Sequence, residues 1–386
     1  MYNRKLVFTA SCMGMLIFGI VFSILGSILP SVIEKFAIDK INAGSLMSFL
    51  AIGTLLGSLI FGPIADRFGY KILLIICTSL ILIGLETIAW APEFWILRIS
   101  VLLIGIGGGV INGGTNALVA DISEGERSAK LSLLGIFFGV GAIGMPFLLG
   151  MLLELISYEI FITITGLIVI LPIFYFTLIR FPKPKQEQGF PIAQGLGLVK
   201  QVPLLLLAFM LFFESGMEIT IGSWTSTFFI EELSTDSNLA VTLLSFFWLG
   251  IVVARLVLGQ ILKTISPSLM LILCLIIAVI SISLMIVSNN LYLAVPALFL
   301  MGVGCAAGFP VILSFIGDLY PQLSGTAFSI AFVIALIGGT IVPFSIGVLA
   351  STYKLRAAFV ILPISIIIML SLFTIFKKRK YHTSNR

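Results

Sequence analysis

Residues 6–29, LVFTASCMGMLIFGIVFSILGSIL, run for 24 positions without one charged side chain. A hydrocarbon core about 30 Å thick is crossed by about 20 helical residues, so this stretch reads as a transmembrane helix. It exceeds the apolar core of a signal peptide, usually about 7–15 residues, and it ends in Pro30; the expectation is a retained span. The same texture continues along the chain. Only 10% of the 386 residues are charged and 59% are hydrophobic, with a mean hydropathy of +1.21. Soluble domains carry about 25% charged residues, so the composition is that of an integral membrane protein.

Apolar runs of spanning length lie near 6–29, 44–65, 72–91, 95–120, 131–153, 160–179, 202–230, 239–262, 268–288, 291–316, 324–349 and 356–376. In lipid the backbone must satisfy its own hydrogen bonds, and these runs are too long and too continuously apolar for barrel strands. The expectation is an all-α membrane protein of twelve transmembrane helices. Lys and Arg concentrate on one side. With both termini cytoplasmic, that side holds sixteen of the 22 basic residues and the other five, Lys35, Lys40, Arg98, Lys354 and Arg356, with Arg255 left inside the eighth span.

The longest polar interruption is RFPKPKQEQGFPIAQGLGLVKQ, residues 180–201, whose prolines, glycines and charges read as a linker. It separates a six-helix bundle at 1–179 from a second at 202–376, followed by a basic tail at 377–386. A shift of 197 residues aligns Gly19 with Gly216, Gly62 with Gly259, Gly105 with Gly302, Asp121 with Asp318, Gly141 with Gly338 and Pro146 with Pro343. Six-plus-six parallel repeats are a transporter architecture, with the substrate site expected between the halves near the midplane.

Several function classes drop out. The basic residues lie in short loops and a tail rather than in an amphipathic stripe, so the net charge of +5 does not point to nucleic acid. Cys12, Cys77, Cys274 and Cys305 sit far apart inside apolar runs and read as small buried hydrophobes. The one histidine, His382, lies in the tail, which leaves a histidine triad or zinc site nothing to build on. There is no G-K-[ST] phosphate loop. Gly-rich GIGGGVINGG at 105–114 is read as helix packing by small residues, because no strand precedes it. No cofactor is expected.

The loop after the second span, GPIADRFGYK at 62–71, needs glycine to turn tightly, and its aspartate can cap a helix N-terminus or hold an arginine. It resembles the signature loop of the major facilitator superfamily, G-x-x-x-D-[RK]-x-G-[RK]-[RK]: Gly62, Asp66, Arg67, Gly69 and Lys71 match, and Tyr70 departs from the basic residue there. The resemblance implies two pseudo-symmetric six-helix bundles and a loop that latches the cytoplasmic side in one state. In the second repeat Lys263 stands where Asp66 would be, and Ser266 where Gly69 would be. INGGTNALVADI at 111–122, ESGMEITIGSW at 214–224 and FFWLGIVVARLVLG at 246–259 look similar to the fucose–galactose–glucose:proton symporter branch. Some members carry an acid in span four where this chain has Asn112, and span one has none here, so proton coupling cannot be copied from them.

Glu214 and Glu218 lie four residues apart in span seven, on one helix face with Cβ atoms about 5–6 Å apart. A charge at that depth costs about 2.5–3.5 kcal/mol. Burial and mutual repulsion therefore both favour holding a proton, the property a proton-coupling site needs. Glu218, which also matches an acid of the branch pattern, is the stronger candidate; packing with hydrogen bonds to Ser or Thr is the alternative. Asn112 and Asn116 repeat the spacing in span four, and their amides suit either sugar hydroxyls or helix–helix contact. Trp224 suits a sugar face or the outer interface, and Phe309 with Pro310 is expected to line the cavity and bend its helix. Arg255 lies too deep to reach water easily and needs a partner; Asp318 and Asp121 are the candidates, with a structural or gating role. Glu86 and Arg98 are expected to pair beside the outer loop.

The reading is a secondary active transporter of the cell membrane that takes up a small polar solute, such as a monosaccharide, with protons by alternating access. Its expected partners are that solute, protons and the bilayer, with the monomer as the working unit. The alternative is proton-driven efflux of drugs or metabolites, whose span-five pattern of G-P followed by G-G is half present in GVGAIGMPFLLG at 139–150. A membrane enzyme is the third class, and no nucleophile–base pair supports it.

Overall fold

The computed structural model describes residues 2–38, 40–123, 125–152, 155–185 and 197–384. Residues 186–196, half of the linker expected at 180–201, and the final Asn385 and Arg386 therefore lie outside the described residues. The helices are α1 (Arg4–Phe36), α2 (Lys40–Phe68), α3 (Tyr70–Trp90), α4 (Phe94–Ile122), α5 (Arg127–Leu152), α6 (Tyr158–Leu178) and α7 (Val202–Leu233). After these come α8 (Ser237–Ile261), α9 (Pro267–Val287), α10 (Leu291–Cys305), α11 (Gly308–Leu319), α12 (Ser324–Thr352), α13 (Leu355–Ala358) and α14 (Ile361–Ser384). Among the described residues there is no strand, and twelve helical stretches are long and apolar enough to cross a membrane.

Three boundaries differ from the apolar runs. Helix α1 continues past Pro30 to Phe36, and α14 carries through the basic tail to Ser384; a solvated helix end needs no apolar side chains, so hydropathy under-reads it. The tenth span is broken into α10 and α11 at Ala306–Ala307. Pro310 has no N–H to return to the carbonyl of Ala306, the bond a continuous helix would require. Regular bonding resumes when Val311 donates to the Ala307 carbonyl at 3.1 Å.

The chain forms two compact units. The first comprises Met1–Ser123, Leu134–Gly195 and Tyr320–Ser329; the second comprises Glu124–Leu133, Leu196–Leu319 and Ile330–Arg386. The start of α5 thus packs in the second unit and the start of α12 in the first.

The 197-residue shift is written into the packing of each unit. In the first, a Cβ on Gly53 of α2 would strike the Leu102 carbonyl of α4, and one on Gly105 the Leu50 carbonyl. In the second, Gly250 of α8 meets the Phe299 carbonyl, and Gly302 of α10 meets that of Phe247. Each pair is the other displaced by 197 positions. Small residues let these backbones touch, which is the packing expected of the Gly-rich stretch in α4. All four cysteines are free and buried.

Candidate functional site

In the first unit the signature loop is closed by its own polar groups. Asp66, 1% exposed, reaches the start of α12. Its carboxylate accepts from the Gly325 N–H at 3.2 Å, the Thr326 N–H at 2.9 Å and the Thr326 hydroxyl at 2.7 Å. Of the two roles open to it, Asp66 takes that of a cap on orphan helix donors. Gly62 permits the approach, since a Cβ there would strike the Gly325 carbonyl. Gly69 turns the chain at φ +80°, where other residues are strained. Lys71 donates to the Thr177 and Ile179 carbonyls at 2.7 and 3.1 Å, at the C-terminus of α6, where a cation meets the negative helix end. Arg67 lies over the Phe68 ring at 5.8 Å.

A second acid completes this cluster. Asp121, at the end of α4, accepts from the Tyr70 hydroxyl at 2.6 Å and the Ser324 hydroxyl at 2.7 Å, and pairs with the Lys185 ammonium at 2.7 Å. Lys185 also donates to Ser324 and, through its backbone N–H, to the Asp66 carbonyl at 3.1 Å. Sequence reasoning missed Lys185, Ser324 and Thr326. Lys185 was absorbed into the linker, and hydroxyl side chains carry no signal of their own. Tyr70, which breaks the signature pattern, serves the cluster through its hydroxyl.

The two amides of α4 take different positions. Asn116 is 4% exposed and donates to the Asn112 backbone carbonyl at 2.9 Å and to Asn112 Oδ1 at 3.1 Å. Asn112 is half-buried, and its own NH₂ makes no hydrogen bond among the described residues. Asn116 thus orients Asn112, and Asn112 is the amide left to present.

In the second unit, Glu214 is 1% exposed, and neither carboxyl oxygen has a hydrogen-bond partner. A Cβ on Gly308, where α11 begins, would collide with that carboxyl group, so the break in the tenth span leaves room for it. Glu218 is half-buried and makes no hydrogen bond or ion pair among the described residues. The Thr220 hydroxyl, a neighbour that could have satisfied either acid, donates to the Gly216 carbonyl at 2.7 Å. The charge that reaches both acids is Arg255 of α8.

Among the described residues Arg255 makes no ion pair with either of the aspartates expected for it. Asp318 pairs with Arg127, and Asp121 is held by Lys185 and Tyr70. The Arg255 Nε is buried without a hydrogen-bond partner. Trp224 donates its indole N–H to the Pro343 carbonyl at 3.2 Å, and a Cβ on Gly347 would lie 3.1 Å from its ring; the indole is tied to α12. Phe309 is half-buried, 5.6 Å from the Phe332 ring. Glu86 and Arg98 do not pair: Arg98 turns to α2, donating to Asn42 Oδ1 at 2.7 Å and to the Ser45 hydroxyl at 3.2 Å. Glu86 lies against Gly166 of α6. Among the described residues no group of His, Cys, Asp and Glu could hold a metal ion.

The Major Facilitator Superfamily profile matches residues 11–290 and 215–386. The chain belongs to that superfamily. It is a multi-pass membrane transporter, not an enzyme. Similar chains include the glucose/mannose transporter GlcP of Bacillus subtilis, 24% identical over 344 residues that cover 85% of this chain and 84% of GlcP. The quinolone resistance protein NorA of Staphylococcus aureus is 26% identical over 225 residues, 56% of this chain and 57% of NorA. Among solved structures, the fucose:proton symporter FucP of E. coli superposes with a TM-score of 0.82 at 17% identity, covering 96% of this chain and 98% of FucP.

Proposed function

We propose that this transporter couples the entry of a small polar solute, a monosaccharide, to the movement of a proton. The observation that carries the reading is the state of the two α7 acids. A buried carboxyl group left without a hydrogen-bond partner is costly, and packing with Ser or Thr does not account for this pair. Among the described residues Arg255 supplies a charge that opposes theirs, so proton loss from the pair is offset by a cation in the same unit. A site that binds and releases a proton needs this combination of deep acids and a nearby positive charge.

Asn112, oriented by Asn116, offers an amide to a hydroxyl-bearing solute, and Trp224 and Phe309 offer aromatic surface. The cluster around Asp66, Arg67, Gly69 and Lys71 serves as the latch, and the halves at 1–179 and 202–376 alternate in exposing the site. The distribution of Lys and Arg supports cytoplasmic termini and places the latch at the inner face of the cell membrane. A sugar substrate is in keeping with the likeness to GlcP and FucP.

The likeness to a quinolone resistance protein favours a second reading, outward movement of drugs. Purified protein in liposomes with an imposed pH gradient separates the two. Accumulation of a labelled hexose supports uptake; gradient-driven movement of a quinolone without hexose accumulation overturns it in favour of efflux.

A further inference from the structure

At the helix ends opposite the signature loop, the 197-residue shift relates two ion pairs of opposite polarity. In the first unit the Lys35 ammonium, in the last turn of α1, lies 3.2 Å from the Glu159 carboxylate in the first turn of α6. In the second unit Glu232, at the end of α7, lies 3.2 Å from the guanidinium of Arg356 in α13. Glu232 stands in the repeat where Lys35 stands, and Arg356 where Glu159 stands. Each pair ties the first helix of its repeat to the start of the sixth span, with the charges exchanged. Both ties are reinforced locally. Lys35 also donates to the Ala89 carbonyl at 3.4 Å and lies 5.4 Å from the Tyr158 ring. The Glu232 carboxylate accepts from the Arg356 backbone N–H at 3.2 Å, and the Arg356 guanidinium donates to Asn289 Oδ1 at 2.9 Å.

Local physics does not account for the exchange. A cation in a last turn and an acid in a first turn suit the helix dipole, and Lys35 and Glu159 are so placed. Glu232, in the last turn of α7, runs against that preference. Nor does a partly exposed ion pair contribute much stability by itself. What the exchange does alter is the outcome of a wrong assembly. The repeats share their packing down to the glycine contacts between backbones, so α1 could seat on the sixth span of the other repeat, and α7 likewise. Such a swap, within one chain or between two, would bring Lys35 to Arg356 and Glu232 to Glu159. Both of those contacts are repulsive, whereas both contacts within a repeat are attractive. We propose that the reversed polarity is a pairing code, which holds each first helix to the sixth span of its own repeat and rejects the other. With equal polarity in the two repeats, swapped contacts would be as attractive as correct ones. The code concerns assembly and is independent of which solute is carried.

Folding of the full chain tests the code. One variant reverses the first pair (Lys35→Glu with Glu159→Lys), a second reverses the other (Glu232→Lys with Arg356→Glu), and a third combines all four changes. Every variant keeps two complementary pairs. The readout is the yield of folded monomer extracted in mild detergent, relative to the unaltered chain. Reversing one pair equalises the polarities, so yield should fall several-fold in each of the first two variants. Reversing both restores the contrast, and the combined variant should exceed either. If the pairs were only local ties, the two losses would multiply instead. A zero-length carbodiimide cross-link, made in membranes, reads the contact itself. In the unaltered chain it should join Lys35 to Glu159; in the first variant the lysine introduced at 159 should also link to Glu232. Undiminished yield in either two-residue variant, a combined variant that falls below either of them, or absence of the link from 159 to Glu232 overturns the proposal.

Discussion

The loop at 62–71 and the loop at 259–268 occupy the same place in the two repeats, yet they are built on opposite chemistry. The first carries Gly62, Asp66 and Gly69. It turns through a left-handed glycine, brings its backbone against Gly325 and seats a buried carboxylate on the start of α12. The second carries Gly259, Lys263 and Ser266. Ser266 sits at φ −61°, where any residue is comfortable, and accepts from the Leu269 N–H at 3.4 Å as an ordinary helix cap. Gly259 faces the Leu133 side chain instead of a backbone carbonyl. A change of charge at one position thus goes with a relaxed turn at another, because the tight turn is useful only when there is an acid to deliver. The contrast extends inward. Glu214 and Glu218 have Ile17 and Val21 as repeat partners, both buried in the first unit, and Asn112 has Phe309. One repeat holds amides and a loop carboxylate seated on a helix start; the other holds acids, an arginine and a lysine in that carboxylate's place.

The strongest way to break this contrast is to remove its acid. Glu218→Gln leaves a neutral hydrogen-bonding group, so exchange of labelled for unlabelled solute should continue while accumulation driven by a pH gradient is abolished. Both are measured in the same liposomes. Persisting accumulation would mean that the proton moves elsewhere. Glu214→Gln should be milder, reducing gradient-driven accumulation without abolishing it, since Glu218 remains to take up the proton.

Next in size is the latch. Asp66→Asn replaces an acceptor of three bonds with a group that presents an NH₂ to other donors, a change worth about 1.5–3 kcal/mol. Turnover should fall about ten-fold or more, with solute binding close to unchanged, as read by uptake rate and equilibrium binding on one preparation. Equal losses of both would make Asp66 a folding residue.

Asn112→Ala should weaken solute binding several-fold, because a buried hydroxyl left unpaired costs about 1–3 kcal/mol. Asn116→Ala should act through the orientation of Asn112, lowering affinity less. Unchanged affinity in Asn112→Ala would assign both amides to helix packing.

The smallest effect is a reciprocal exchange in the two turns. Gly69→Ser forces a side chain into φ +80° and should cost about 1 kcal/mol. Ser266→Gly should cost a few tenths. Thermal unfolding of the two variants ranks them, and equal shifts would show that the turns are not under different strain.

The number of spans, the repeat and the signature loop were legible because each rests on a local rule: hydrocarbon thickness, small residues where backbones touch, glycine where the chain must turn left-handed. Glu214 and Glu218 were legible as anomalies, since acids are rare at that depth. Their lack of partners was not, because whether Thr220 turns toward them or toward the Gly216 carbonyl is a matter of rotamer and helix rotation. The partner of Arg255 was misjudged for a similar reason: opposite charges were matched along the chain, while Asp318 and Asp121 were taken by Arg127 and by Lys185 with Tyr70, which lie nearer in space.

By itself, then, the sequence determined an all-helical membrane protein of twelve spans, its internal duplication and the family whose loop it carries, because bilayer and backbone impose these through composition and period alone. Only the tertiary structure decided that Asp66 caps α12 rather than holding an arginine, that Lys185 closes the same cluster and that Asn116 orients Asn112. Hydrogen bonds act over about 3 Å, and residues that far apart in space are here as much as 271 positions apart in the chain.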